Sequence, residues 1–216
     1  MANVLGSEFG GLRLRYAILD VKPRRSPQGV KRRLRYLSDR LHGQHALNLR
    51  REPIASAYRV FFRQIGLDPD EIRIPVEAAV LERLRAGGFK SQGLVEDAVT
   101  IAIVETGVAI QTLDAGQIRG RLRLRLAGEG ERLGGDPHGL PLPGDALVFA
   151  VDERALGPIF GELAPDVEVS KDTRSVAVSA LQVQGVPDIS VEEAIWICTT
   201  VLSDSTSADA QEPGLA

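Results

Sequence analysis

Six cations crowd one short stretch of this chain: Arg24, Arg25, Lys31, Arg32, Arg33 and Arg35. Such a cluster attracts phosphate groups without reading base sequence, which makes these residues the nucleic-acid candidates. The same run also reads as a solvated, partly ion-paired helix and loop, since no aromatic stacking set is interleaved with it. A second stripe, Arg121, Arg123 and Arg125, alternates with leucines in RGRLRLRLA; it reads either as an exposed edge guard or as a positive groove wall. His42 and His45 lie three apart, a spacing that a helix places on one face. No nearby carboxylate completes a ligand set, so the histidines read as solvated and no metal site is expected. Cys198 falls on the apolar face of a helix and reads as a buried, inert thiol. Trp196 lies on a different face of that helix, a rim, interface or packing residue. There is no Gly-Lys-Ser/Thr phosphate loop and no nucleophile elbow. GEGERLGG, Gly128 to Gly135, follows a strand without opening a helix and reads as a surface hairpin loop. No cofactor is expected.

These residues sit in a chain of 216 residues with 44% hydrophobic and 25% charged positions, enough to bury a core and inconsistent with wholesale disorder. One cysteine excludes an intramolecular disulfide framework and a Cys-rich zinc site. No apolar run approaches the roughly 20 residues that cross a bilayer. The first residues, MANVLGSEFGG, lack a basic end and an apolar block. No secretory leader or membrane partner is therefore expected, and the compartment expected is the cytoplasm. The net charge of −3 conceals a split: residues 1–90 carry a surplus of nine positive charges, the remainder a surplus of twelve negative ones. A basic part permits contact with a polyanion; basic and acidic parts can equally face each other within one fold.

The elements that must position these groups follow from periodicity. Gly11 to Val21 reads as a strand, and Val30, Leu34, Leu37 and Leu41 as the apolar face of a helix that gives way to a loop by Leu49. Helices are predicted over Ile54–Ile65, with Pro53 in the first turn and Gly66 at the end, and over Pro75–Leu84, stopped by Gly87-Gly88. Gly93 to Val104 is either a helix or a buried strand, because its β-branched content leaves the period ambiguous. Strands are predicted at Val108–Leu113, Arg119–Ala127 (leucines inward, arginines outward), Ala146–Val151 and Ser175–Val183. Glu129 to Pro143 reads as a loop. A last helix spans Ser190–Leu202, with Ser190 as N-cap and Glu193 completing a capping box. The tail from Ser203 is polar and expected to be disordered, giving one domain over 1–203 and a tail over 204–216. Helices and antiparallel-type strands without βαβ alternation indicate the α+β class.

The order of these segments resembles the B3/B4 domain of the phenylalanyl-tRNA synthetase beta subunit, and more closely the stand-alone proteins built around that domain. AYRVFFRQIGLDPDEIR, Ala57 to Arg73, is similar to the family's Tyr-Arg helix, its Gly-x-Asp-Pro turn and the Arg four residues after the Pro. Glu77, Leu94-Val95-Glu96, Asp114, Pro143-Gly144-Asp145 and VSKDTR, Val169 to Arg174, follow in the family's order, and the strand Phe9 to Val21 fits its opening. The resemblance covers most of residues 9–202. The chain departs from the pattern where Pro75 replaces a Ser, where Val99 replaces an Asn, and where RALGPIFGELAPDVE, Arg154 to Glu168, replaces a stretch containing Arg and Trp. Apolar groups stand there in place of polar ones.

The resemblance implies an α+β domain of B3/B4 type, helices packed on a largely antiparallel sheet. It also implies RNA (tRNA) binding, with hydrolytic editing of mischarged aminoacyl-tRNA as the associated activity. The alternatives are a non-catalytic module for tRNA or an amino-acid-like small molecule, and a protein-interaction domain that keeps only the fold. Editing needs an activated water, oxyanion stabilisation and a placed hydrogen-bond partner for the rejected side chain. The pocket candidates carried over by the resemblance are Glu77, Asp114, Asp145, Asp172, Thr173 and Arg174. Read structurally, Asp145 and Asp172 finish turns and Glu77 favours a helix N-terminus. The catalytic residue and the oligomeric state are left open.

Overall fold

The computed structural model describes residues 9–41 and 48–209, with side chains as far as Ser203. Strand β1 (Arg13–Asp20) leads into helix α1 (Gln28–Arg40), whose buried Val30, Leu34 and Leu37 recur at the expected spacing. A short 3₁₀ turn, Leu49–Arg51, precedes α2 (Pro53–Gln64). Proline occupies the first turn of α2 and again of α3 (Pro75–Ala86), where its missing N–H costs nothing. α3 ends at Gly87, at φ 72°, and α4 (Leu94–Thr106) at Gly107, at φ 75°, the left-handed cap that glycine adopts without strain. The ambiguous segment is thus a helix: it is buried along one side by Leu94, Ala98, Ile101 and Ala102.

Strands β2 (Ile110–Asp114), β3 (Leu122–Leu126), β4 (Leu147–Val151), β5 (Arg154–Pro158) and β6 (Ser175–Gln182) and helix α5 (Asp188–Asp209) complete the chain. The strands form two antiparallel sheets rather than one. Sheet A has the order β1-β6-β2 and sheet B the order β3-β4-β5. In sheet A, Tyr16, Ser179 and Gln111 lie opposite one another and share a face. Arg15, Ala180 and Gln182 lie on the other face, which α5 covers: Asp188 and Glu192 of that helix pair with Arg15, and Asp188 accepts from Gln182. α4 packs against α5, and α1 against the outside of α4. Buried apolar side chains from both sheets and all five helices form one cluster. Among the described residues no helix is long and apolar enough to cross a membrane.

Several expectations change. β5 lies inside the segment that differs from the family pattern. It is short and bulges at Leu156, opposite the Phe149/Ala150 step of β4, so it lacks an alternating signature. α5 begins at Asp188, two residues before the N-cap expected at Ser190, whose N–H instead bonds Pro187 O. It also runs to Asp209, into the segment expected to be disordered; residues 210–216 lie outside the described residues. The arginine stripe of β3 is not a free outward face. Arg125 is largely buried by Glu131, with which its Nη1 makes a 2.7 Å bond, and Arg123 reaches Glu153 at 3.5 Å, whereas Arg121 is exposed. His42 and His45 lie outside the described residues.

Candidate functional site: a cleft between the sheets

Sheet A turns the face bearing Ser179 and Gln111 toward sheet B. Between them lies a cavity of about 210 Å³. Its walls are apolar: Pro75 at the start of α3, Phe149 of β4, Ile159 and Phe160 just after β5, and Leu181 of β6. Phe160 is fixed by the rings of Phe62, 4.4 Å between centroids, and Phe61, at 6.4 Å. Three polar side chains break the apolar lining, those of Arg73, Gln111 and Ser179. The Ser179 hydroxyl donates to Gln111 O at 2.9 Å, while the Gln111 amide has no partner among the described residues.

Arg73 belongs to a network that sets its charge. Arg59 of α2, buried, donates to Glu77 at 3.0 Å and to Asp70 at 2.8 Å. Arg50 approaches Asp70 at 3.1 Å and Glu77 at 3.8 Å. Arg73 is the most loosely held: its Nη1 is 3.5 Å from Asp70 and 4.0 Å from Glu77, and also donates to Pro69 O at 3.3 Å. Three guanidinium groups thus face two carboxylates, a surplus of one positive charge. Arg73 Nη2 and Nε have no partner among the described residues, and a carboxylate bound there accepts two parallel bonds. The hydrogen bond from Arg59, followed by its charge and those of Arg50 and Arg73, holds the Asp70 carboxyl below the usual range despite partial desolvation.

The sequence candidates fall into separate places. Glu77, buried in the first turn of α3, belongs to this network and is occupied by Arg59. Asp114, Asp172, Thr173 and Arg174 gather at the other end of sheet A. There the Thr173 hydroxyl donates to Asp114 at 2.7 Å and accepts from Ser170 N, and Asp114 also caps Gly116 N at 2.8 Å. Arg174 folds back onto the carbonyls of Lys171, Asp172 and Thr173, and Asp172 is exposed. Asp145 is an exposed turn residue at φ 62°. None of these five lines the cleft. Gln111, Ser179, Phe149 and Phe160 were not picked out from the sequence, because only strand pairing brings them together. The signals that do converge on the cleft are Arg73, from the Asp-Pro turn motif, and two of the departures from the family pattern, Pro75 and the segment holding Ile159 and Phe160.

On α1, Lys31, Arg32 and Arg35 and, in the preceding loop, Arg25 have no ion-pair partner among the described residues. Arg33 does: it is clamped by Glu105 of α4 at 2.6 and 2.9 Å. Arg24 lies in the same loop, its carbonyl accepting from Leu94 N. Tyr36, 59% exposed, lies one turn from Arg32 and stacks under the Arg40 guanidinium at 5.4 Å. Among the described residues no three His, Cys, Asp or Glu side chains are placed to hold a metal ion.

No protein-family model matches the chain, and no curated protein matches it.

Proposed function

We propose that this chain is a non-catalytic binding module of B3/B4 type whose inter-sheet cleft takes an amino-acid-like small molecule. The carrying observation is the underneutralised Arg73 guanidinium at the edge of a small apolar cavity. The cavity is below the ~300–1,000 Å³ of pockets for drug-sized ligands, and suits a small carboxylate with an apolar body. Arg73 receives the carboxylate, Gln111 and Ser179 offer donors and an acceptor, and Phe149, Ile159 and Phe160 enclose the body. Among the described residues no carboxylate, imidazole or thiol lines the cleft to activate water, which favours binding over hydrolytic editing. Cytoplasmic residence belongs to this proposal.

The test is calorimetric titration with free aromatic and aliphatic amino acids. An Arg73→Ala variant is expected to bind at least about tenfold more weakly, the worth of a charge-assisted hydrogen bond. Failure of every amino acid and simple carboxylate to bind would remove this function. Release of amino acid from mischarged tRNA would replace it with the editing one.

The α1 face supports a second reading, association with tRNA. Unpaired cations flank an exposed ring able to stack on an unpaired base. Because α1 lies beyond α4 on the helix-covered side of sheet A, this surface is not continuous with the cleft. An Arg32→Ala/Arg35→Ala double variant is expected to weaken tRNA binding and to flatten its salt dependence by about one unit of slope per lost phosphate contact. An unchanged slope would exclude it.

A further inference from the structure

Beside the cleft, Arg50, Arg59 and Arg73 outnumber Asp70 and Glu77 by one charge. A ligand with one carboxylate and no other charge cancels that surplus, whereas the zwitterion of a free amino acid leaves it in place. An ammonium group also needs acceptors, and a counter-charge, once it leaves water. Among the described residues no carboxylate lines the cleft. The two carboxylates beside Arg73 are held by Arg59, Asp70 at 2.8 Å and Glu77 at 3.0 Å.

Ser179 of β6 and Gln111 of β2 lie directly opposite each other, and both line the cleft. Ser179 is buried, and its hydroxyl proton goes to the Gln111 backbone carbonyl at 2.9 Å. Its oxygen is thereby left as an acceptor, while the Gln111 side-chain amide supplies N–H donors. Such a pair matches a neutral hydroxyl, which gives its proton to Ser179 Oγ and accepts one from Gln111. A ketone oxygen satisfies Gln111 alone and sets its lone pairs against those of Ser179. An ammonium group can donate to Ser179 and to the Gln111 side-chain oxygen, but it brings a second positive charge to a site that already has one in excess.

We infer that the cleft selects an α-hydroxy acid with an apolar side chain over the corresponding amino acid, and that Ser179 and Gln111 set the choice. This rests on the reading of the cleft as a small-carboxylate site anchored by Arg73, and adds the identity of the group next to the carboxylate. The cavity, about 210 Å³, has the volume of about seven waters at ~30 Å³ each, the scale of such a molecule with its side chain between Phe149, Ile159 and Phe160.

The test is calorimetric titration with phenyllactate, phenylalanine, phenylpyruvate and phenylpropionate, and with the matching set that carries the leucine side chain. In the set that fits, the hydroxy acid is expected to bind at least about tenfold more tightly than the other three. In Ser179→Ala its affinity should fall to that of the analogue lacking the hydroxyl, whose own binding stays at the wild-type level and shows that the cleft is intact. Gln111→Leu, on the edge strand β2, is expected to lose most of the same preference. An amino acid that binds as tightly as its hydroxy analogue would overturn the inference and leave the carboxylate site standing, as would a preference that survives both substitutions. Binding by no compound of either set would remove the site itself, and the inference with it.

Discussion

Arg59 shows what one side chain of the quoted Tyr-Arg motif does. It crosses from α2 to hold Glu77 of α3 and Asp70 of the intervening turn, and both it and Glu77 are buried. Removing it leaves the Glu77 carboxylate under cover with only Arg50 and Arg73 at 3.8 and 4.0 Å. A buried carboxylate that loses its direct hydrogen bonds is costly even with two cations nearby, so Arg59→Ala is expected to lower unfolding free energy by about 1–3 kcal/mol in urea titrations. Cys198 makes the opposite case, a reactive atom with nothing to do. Burial pushes its thiol up to about 12, so at neutral pH it carries almost no thiolate. Native protein is expected to resist thiol reagents, with one equivalent titrating only after denaturation. The inert thiol was legible from its position on the apolar helix face. The partners of Arg59 were not, because the motif placed Arg59, Asp70 and Glu77 in order along the chain without indicating that they meet.

At the scale of elements, β5 carries a constraint that alternation does not express. Gly157 sits at φ 149°, and a Cβ there would meet Glu162 O at 2.7 Å and Leu163 Cα at 2.9 Å, both rigid backbone. The glycine lets the chain fold back tightly and deliver Ile159 and Phe160 to the cleft. Gly157→Ala is expected to destabilise the protein by about 1–3 kcal/mol through backbone strain, seen as a fall in the thermal midpoint, and to weaken ligand binding in the same titrations used for Arg73. The helices were the more readable elements. Pro53, Pro75, Gly66 and Gly87 mark their ends by local geometry alone, whereas α5 overran its expected end because nothing in its polar final turns forbids helix.

Across the whole molecule, the charge split of the sequence becomes ion pairing between its two parts. Arg13, Arg15 and Arg33 from the basic part meet Asp188, Glu192 and Glu105 from the acidic one. Hydrogen bonds from Arg59, Arg125 and Gln182 respectively hold the Asp70, Glu131 and Asp188 carboxyls below their ordinary values. Groups depressed in the folded state are stabilising above the unfolded carboxyl value of about 4 and lose that contribution as pH falls through their lower folded values. The urea midpoint is therefore expected to be level near neutrality and to fall from about pH 4 downward; a midpoint that rises on acidification would contradict this assignment. The sequence by itself determined the α+β class, most helix ends, the basic helix and the buried thiol, because these depend on periodicity, capping and composition over a few neighbouring residues. Only the tertiary structure decided that there are two sheets, that Asp114 and Thr173 bond each other away from the cleft, and that Arg73 faces a cavity walled by Phe149 and Phe160. Those facts depend on which distant strands pair and on how one sheet lies against the other, and no short stretch of the chain encodes that geometry.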